Sequence, residues 1–350
     1  MYYYIYREHI IQISEYEVNL MYKKKIMLLG TGGTIAGKAV NSVETATYEA
    51  GQINIKDLIQ EIPVLENIAQ IECEQVCNID SADITLEIMV ELRNKINKYL
   101  SREDIKGIVV AHGTDTLEET AYFLNLTIAS SKPVVLVGAM RPATAFSADG
   151  IMNMINAIYV AISEHSINKG VLVVMNDRIY AAREVSKTHT TGLDAFTSLE
   201  LGSLGNVNGE GVNFYQQSLR KHTLESCFSK IDLKNSFPIV DVVYCVAGMS
   251  YRTIELLIKN GSQGIVIAGF GNGNINSKFK EKLKNAVKTG TVIVMSSRVA
   301  SGEIVAGQAA KETGIICAGN LNPQKARILL ILALATNKNL NEIQEIFATH

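Results

Sequence analysis

A chain of 350 residues with 33 basic and 35 acidic side chains, net charge -2, has no long-range field to draw it to nucleic acid or an anionic membrane. Its 47% hydrophobic content is that of a soluble globular protein, and its length suits about two domains, each with its own core. The five cysteines, Cys73, Cys77, Cys227, Cys245 and Cys317, are an odd number without C-x-x-C pairs or nearby histidines, so they read as reduced thiols and not as zinc ligands.

The first twenty residues, MYYYIYREHIIQISEYEVNL, never build a signal-peptide core: Arg7, Glu8 and His9 break one apolar run, and Gln12 and Glu15 break the next. The expected location is the cytoplasm. Met21 is a second candidate start, because MYKKKIMLLG leads directly into a strand. Residues 1–22 are expected to be an extension outside the fold, spurious or disordered.

Lys25 to Gly37, KIMLLGTGGTIAG, is an apolar run of strand length emptying into glycines that hold two threonines. Gly30, Gly32 and Gly33 permit unusual backbone and leave no side chains in the way, so Thr31 and Thr34 are expected to face a bound molecule at a strand end. Two nucleotide readings compete with this one. Gly32 to Ala39 spells G-x-x-x-x-G-K-A, but Ala39 lacks the hydroxyl that a P-loop uses to hold magnesium. The dinucleotide fingerprint counted from Gly30 puts Ile35 where its third glycine belongs. A plain structural turn is the third reading.

Downstream, Ala39 to Gly51 is polar, with Tyr48 its single aromatic, and reads as a mobile loop. Ile55 to Ile62 has helical periodicity ended by Pro63. Ile71 to Val76 reads as a strand running into CNIDSAD, and Ser81 or Asp83 as the cap of a helix from Ile84 to Leu100. Ile105 to Ala111 is a buried strand delivering HGTDT, followed by a helix from Leu117 to about Ile128. Pro133 to Val137 ends in GAMRPATAFSADG before a helix from Ile151 to Ser163, and Val171 to Met175 ends in NDR. This alternation predicts a parallel, doubly wound sheet.

From Gly202 to Pro238 the chain turns polar and irregular, which marks a boundary. Beyond it the alternation restarts: strands at 239–246, 265–268, 292–295 and 315–317, helices at 253–260 and 277–289, and two helices to the end. The expected organisation is a larger N-terminal α/β domain over 23–214, a linker over 215–237 and a smaller C-terminal α/β domain over 238–350, both doubly wound with mainly parallel sheets.

Hydroxyls outnumber every other reactive group at the first domain's strand ends: Thr34, then Ser81, then Thr114 beside Asp115, with Ala139 and Met140 next. Lys187 follows in EVSKTHTTG. A hydroxyl is a weak nucleophile and needs a base; a desolvated lysine can serve, and an aspartate can hold and polarise it. Taken singly, Thr114 also reads as a helix cap, Asp115 as an acid complementing a helix dipole, and Lys187 as a solvated charge. His112 tempts a Ser-His-Asp reading, but its place directly after an apolar strand favours a structural histidine. GFGNGN, Gly269 to Asn274, supplies turn residues or ligand contacts.

TGGTIAG, HGTDTLEETA, VGAMRP with SADG, VVMNDR and LNPQKAR occur in the order they have in bacterial type II L-asparaginases, and the resemblance covers residues 25–350. It implies a two-domain amidohydrolase without metal or cofactor that converts L-asparagine to L-aspartate and ammonia. On this resemblance Thr34 is the nucleophile and Tyr48 the loop tyrosine that closes over the substrate. Thr114, Asp115 and Lys187 resemble the triad that activates the attacking hydroxyl or water. Ser81 and Asp115 resemble contacts to the α-carboxylate and α-amino groups, Ala139 lies in a substrate-lining loop, and Asn272 resembles the asparagine lent by a neighbouring subunit. The family implies a homotetramer, a dimer of tight dimers, with no nucleic-acid or membrane partner; it also has periplasmic members.

The chain departs from the pattern twice. Ala82 stands where the family usually has a glutamine or an acid, and about Gly307 where it carries a glutamate; Glu49, Glu303 and Glu312 are candidate substitutes. The alternative activities are the same chemistry on glutamine or an amino-modified asparagine, a subunit of a tRNA-dependent amidotransferase, and non-catalytic amino-acid binding.

Overall fold

The computed structural model describes residues 23–39, 41–43, 48–233, 236–305 and 314–350. In the first domain the strands are β1 (Lys25–Gly32), β2 (Lys38–Ala39), β3 (Tyr48–Glu49), β4 (Gln70–Ile79), β5 (Ile105–Ala111), β6 (Val134–Val137), β7 (Val171–Met175), β8 (Arg178–Ala181), β9 (Ser186–Lys187), β10 (Phe196–Thr197), β11 (Gly205–Asn208) and β12 (Gly211–Phe214). Eight of them form one sheet in the order β12-β11-β8-β7-β6-β5-β1-β4. From β4 to β7 every pairing is parallel, and β8, β11 and β12 add an antiparallel edge.

Both faces of this sheet are covered, so its strands read as continuous apolar runs, not alternating ones. Along β1, Ile26 and Leu28 point to the helices 55–60 and 150–162, while Met27 and Leu29 point to the helices 86–100 and 117–127. The helix Leu86–Leu100 presents Met89, Leu92, Ile96 and Leu100 inward at spacings of three and four, and Thr85 Oγ1 accepts from Ile88 N–H at 3.4 Å to cap it. Thr85 replaces the expected caps Ser81 and Asp83, which lie in a separate turn, Ser81–Asp83, capped by Asp80.

Two further differences concern strands. β7 turns back at once into β8, and the polar stretch after Gly202 contains the β11–β12 hairpin, whose only buried apolar residue is Val207. Short strands with Asn and Gly at alternate positions leave no apolar period to read. Within the expected mobile loop, Lys38–Ala39 pairs antiparallel with Tyr48–Glu49.

The second domain has the strands β13 (Val240–Tyr244), β14 (Gly264–Gly269), β15 (Val292–Ser297) and β16 (Ile316–Cys317), all parallel and in sequence order. Helices 252–259 and 277–288 cover one face. The helix Pro323–Ala335 covers the other and also packs on the first domain, which is why it is apolar nearly all round. No helix among the described residues is long and apolar enough to cross a membrane.

Strand order positions the site. The first sheet starts at β1, passes to β4 on one side, then crosses to β5 on the other; the crevice outside the carboxyl ends of β1 and β5 is the switch point where open α/β sheets bind ligands. The second sheet runs without such a reversal.

Candidate active site

Glycines on both sides of the crevice let its loops meet. Gly33 has φ +80°, and a Cβ there would fall 2.1 Å from Gly113 Cα; a Cβ on Gly113 would fall 2.7 Å from Ser81 Oγ. The ends of β1, β4 and β5 therefore converge on one point, and a side chain at either glycine would separate Thr34 from Thr114. Gly33 N–H donates to Ile79 O at 3.0 Å, Gly37 N–H to Thr34 O at 2.8 Å and Gly51 N–H to Gly33 O at 3.1 Å, fixing the turn that Thr34 heads. Thr34 is only 5% exposed.

Thr31 does not face a ligand. It still belongs to β1, and its buried hydroxyl donates to Ala111 O at 3.1 Å, tying β1 to β5. Cys77 Sγ lies 3.4 Å from Thr31 O, and burial pushes its thiol up to about 11, so it stays protonated. All five cysteines are free thiols.

Thr114, Asp115 and Lys187 come together. Lys187 Nζ is 2.9 Å from Thr114 Oγ1 and 2.5 Å from Asp115 Oδ1. Thr114 is buried, the Lys187 side chain is 17% exposed and that of Asp115 62%, so the pair opens outward from the crevice. Lys187 lies on β9, opposite Phe196 of β10, and not on a loop. A lysine touching both a hydroxyl and a carboxylate can pass a proton from the hydroxyl while the carboxylate stabilises its charged form.

Ser81 Oγ accepts from Asp115 N–H at 3.2 Å, and Ser81 O accepts from Thr116 Oγ1 at 2.8 Å. Accepting that N–H leaves the Ser81 hydroxyl its one proton to donate elsewhere. Ala139 is fully buried, and its loop hangs on Asp149, which accepts from Met140 N–H at 3.0 Å and Arg141 N–H at 3.0 Å. Asn153 Nδ2 reinforces the loop by donating to Gly138 O at 3.1 Å. Sequence reasoning missed Gly113, Asp149 and Asn153 as the scaffold of these loops; the acid just ahead of a helix in SADG was the available signal.

His112 is fully buried, with Nδ1 2.7 Å from Gly113 O. Burial lowers its pKa to about 4, so the ring is neutral near pH 7. Asn272 lies in the second domain, in the turn after β14, where its Oδ1 accepts from Val305 N–H at 2.8 Å. The side chain of Tyr48, Gly307 and Glu312 lie outside the described residues. Ala82 is exposed and its N–H donates to Asp80 Oδ1 at 2.9 Å. Among the described residues no group of three or more His, Cys, Asp or Glu side chains is arranged to hold a metal ion.

A switch-point crevice bordered by two threonines, a lysine and a carboxylate carries the kinds of group that acyl transfer in an α/β enzyme needs. The Asparaginase, N-terminal family model matches residues 25–220, and the Glutaminase/Asparaginase C-terminal domain model matches residues 239–347. The chain belongs to the asparaginase family. It is 43% identical to L-asparaginase 2 of Bacillus subtilis (strain 168) over 322 residues, 92% of this chain and 85% of that protein. It is 44% identical to the probable periplasmic L-asparaginase of Haemophilus influenzae over 324 residues, 92% of each. The crystal structure of a probable cytoplasmic L-asparaginase from Campylobacter jejuni superposes with a TM-score of 0.91 at 45% identity, covering 94% of this chain and 100% of that one.

Proposed function

We propose that the chain is an amidohydrolase that cleaves the side-chain amide of L-asparagine through an acyl-enzyme on Thr34. The observation that carries this reading is Lys187 Nζ seated between Thr114 Oγ1 and Asp115 Oδ1 at the crevice that Thr34 borders. The Thr34 hydroxyl attacks the amide carbon; the C–N bond breaks, ammonia leaves with the transferred proton, and water then hydrolyses the ester to free Thr34 and the product carboxylate. Lys187 takes up protons through Thr114, and Asp115 holds it charged in between. Ser81 binds the α-carboxylate and Asp115 the α-ammonium, Ala139 lines the crevice, Tyr48 closes over the substrate, and backbone N–H groups near Thr34 and Thr114 stabilise the oxyanion.

Ala82 favours a second reading, the same chemistry on a wider set of amides. It brings no side-chain polar group to the α-ammonium, and each charge-assisted hydrogen bond lost is worth roughly 1.5–3 kcal/mol, or about ten- to more than a hundredfold in affinity. Succinamate and N-acetyl-asparagine should therefore be turned over with catalytic efficiencies within about tenfold of asparagine, and Ala82→Gln should sharpen the preference for free asparagine. Ammonia release from asparagine, glutamine, succinamate and N-acetyl-asparagine tests this. Micromolar affinity for asparagine with no turnover of succinamate would refute the wider reading. Ammonia from none of them would refute the amidohydrolase and leave the binding-protein and amidotransferase-subunit alternatives.

The active form is a homotetramer, a dimer of tight dimers in the cytoplasm, with Asn272 completing the neighbouring subunit's site. Activity should be lost on dilution to monomer. Full activity in a species that sedimentation shows to be monomeric would sink this.

A further inference from the structure

The buried lysine of the LNPQKAR segment has no part in the chemistry above, yet it reaches toward it across the domain boundary. Lys325 is 1% exposed and lies in the first turn of the helix Pro323–Ala335, where Asn322 Oδ1 accepts from its N–H at 3.0 Å. Its ammonium donates to Arg183 O at 2.8 Å and to Val185 O. Those carbonyls lie four and two residues before Lys187. The same helix start makes two further contacts: Asn322 Nδ2 donates to Ser186 Oγ at 3.0 Å, and Gln324 Nε2 donates to Glu118 Oε1 at 2.5 Å. Glu118 lies in the first turn of the helix that follows Thr114 and Asp115. One turn of the second domain thus touches the strand that carries Lys187 and the helix that follows its two partners.

Arg183 reinforces the strap. Its guanidinium is buried and pairs with Glu184 Oε1 at 2.8 Å, while Nε donates to His350 O at 2.7 Å and Nη2 to Asn320 Oδ1 at 2.9 Å. Segment 183–187 contributes two residues to a ladder, β9, and the other main-chain bonds around it are local, Val185 N–H to Ala181 O at 3.0 Å and Thr188 N–H to Ala195 O at 2.7 Å, so the ties from the second domain add a second set of restraints on Lys187. Removing an ammonium from water is expensive, and apolar groups of the same volume often replace buried charges without loss of stability. The lowered pKa of Lys325, about 8, has that desolvation as its main cause.

We infer that Lys325 is a positioning residue that sets Lys187 against Thr114 and Asp115, making the second domain part of the first domain's proton relay. The inference rests on the amidohydrolase reading. Misplacing a catalytic group by about 1 Å costs on the order of a hundredfold in rate.

The test is steady-state ammonia release from asparagine by the full chain and by Lys325→Met, Lys325→Arg and Ser186→Ala, with the folded fraction measured by circular dichroism. Lys325→Met is expected to lower kcat by roughly thirty- to a hundredfold with KM within about threefold. Lys325→Arg, which keeps two N–H donors for the two carbonyls, is expected to recover most of the loss. Ser186→Ala cuts the Asn322 tie without disturbing a buried charge, and is expected to lower kcat by roughly three- to tenfold at unchanged KM. A folded Lys325→Met enzyme with wild-type kcat overturns the inference, as does a fall that merely tracks the folded fraction. If Lys325→Met does not fold, an unchanged kcat in Ser186→Ala overturns it. A wild-type chain that releases ammonia from no amide refutes the amidohydrolase reading and this inference together, whereas an active wild type with indifferent variants refutes this inference alone.

Discussion

The Thr34→Ala chain is expected to fold normally and to release ammonia from asparagine at less than about a thousandth of the wild-type rate, because removing a nucleophile leaves only the catalysis that binding and the oxyanion donors supply. Folding should survive because the turn is held by main-chain bonds: Gly33 N–H to Ile79 O, Gly37 N–H to Thr34 O and Gly51 N–H to Gly33 O. The loss of a hydroxyl and a methyl from a position 5% exposed should cost about 1–2 kcal/mol, a small fraction of the stability of a chain this size. Mass spectrometry supplies an independent check. A slowly hydrolysed amide should add its acyl group to the wild type, on the peptide holding Thr34, and add nothing to the variant. Thr34→Ser should retain turnover. A Thr34→Ala rate above about a tenth of wild type would move the nucleophile to Thr114, the buried threonine hydroxyl that Lys187 Nζ faces at 2.9 Å.

Features set by local chemistry were readable from the sequence. The apolar run Ile26–Leu29 ending in Gly32 and Gly33 announces a buried strand and an open loop, and the same pattern recurs at Ile105–Gly113. Strand alternation with helices predicts parallel sheets, and the structure has them. Three things were hidden. The β11–β12 hairpin has too few apolar residues to show a period, although Asn208-Gly209-Glu210-Gly211 is a turn signal between its strands. Thr85 as cap was obscured by two competing candidates four and two residues upstream. The backing of segment 183–186, just before Lys187, lies 136–142 residues away, at Asn322 and Lys325, and only the tertiary fold joins them. The lysine in PQKARILLILALA, a helix apolar from Ile328 onward and buried along most of its length, was its one trace in the sequence, because a buried charge has to find partners. The same limit applies to Thr31: from sequence it is one of two threonines in a glycine loop, and only the pairing of β1 with β5 turns its hydroxyl inward.

Lys187→Met should lower kcat by about a hundred- to ten-thousandfold, the range that a positioned proton-transfer group contributes, while changing KM far less. The geometry separates the two effects. Lys187 Nζ faces Thr114 Oγ1 and Asp115 Oδ1, so it meets the reacting hydroxyl through Thr114 and stays off the substrate. Methionine keeps most of the stem that packs where the lysine is 17% exposed, so no large cavity opens, and the 62% exposed Asp115 carboxylate left behind can be solvated. The folded state should therefore be little affected. Asp115→Asn is expected to behave differently, raising KM as well as lowering kcat, since on the proposed reading Asp115 holds the α-ammonium as well as the lysine. Adding a small primary amine should partly restore Lys187→Ala, because the missing function is a base and the shortened side chain leaves room for the amine beside Asp115. Steady-state kinetics of these variants, with and without methylamine, measure these outcomes. A Lys187→Met enzyme with wild-type kcat would make the lysine a solvated partner of Asp115 and nothing more, and would leave Thr114 without a base.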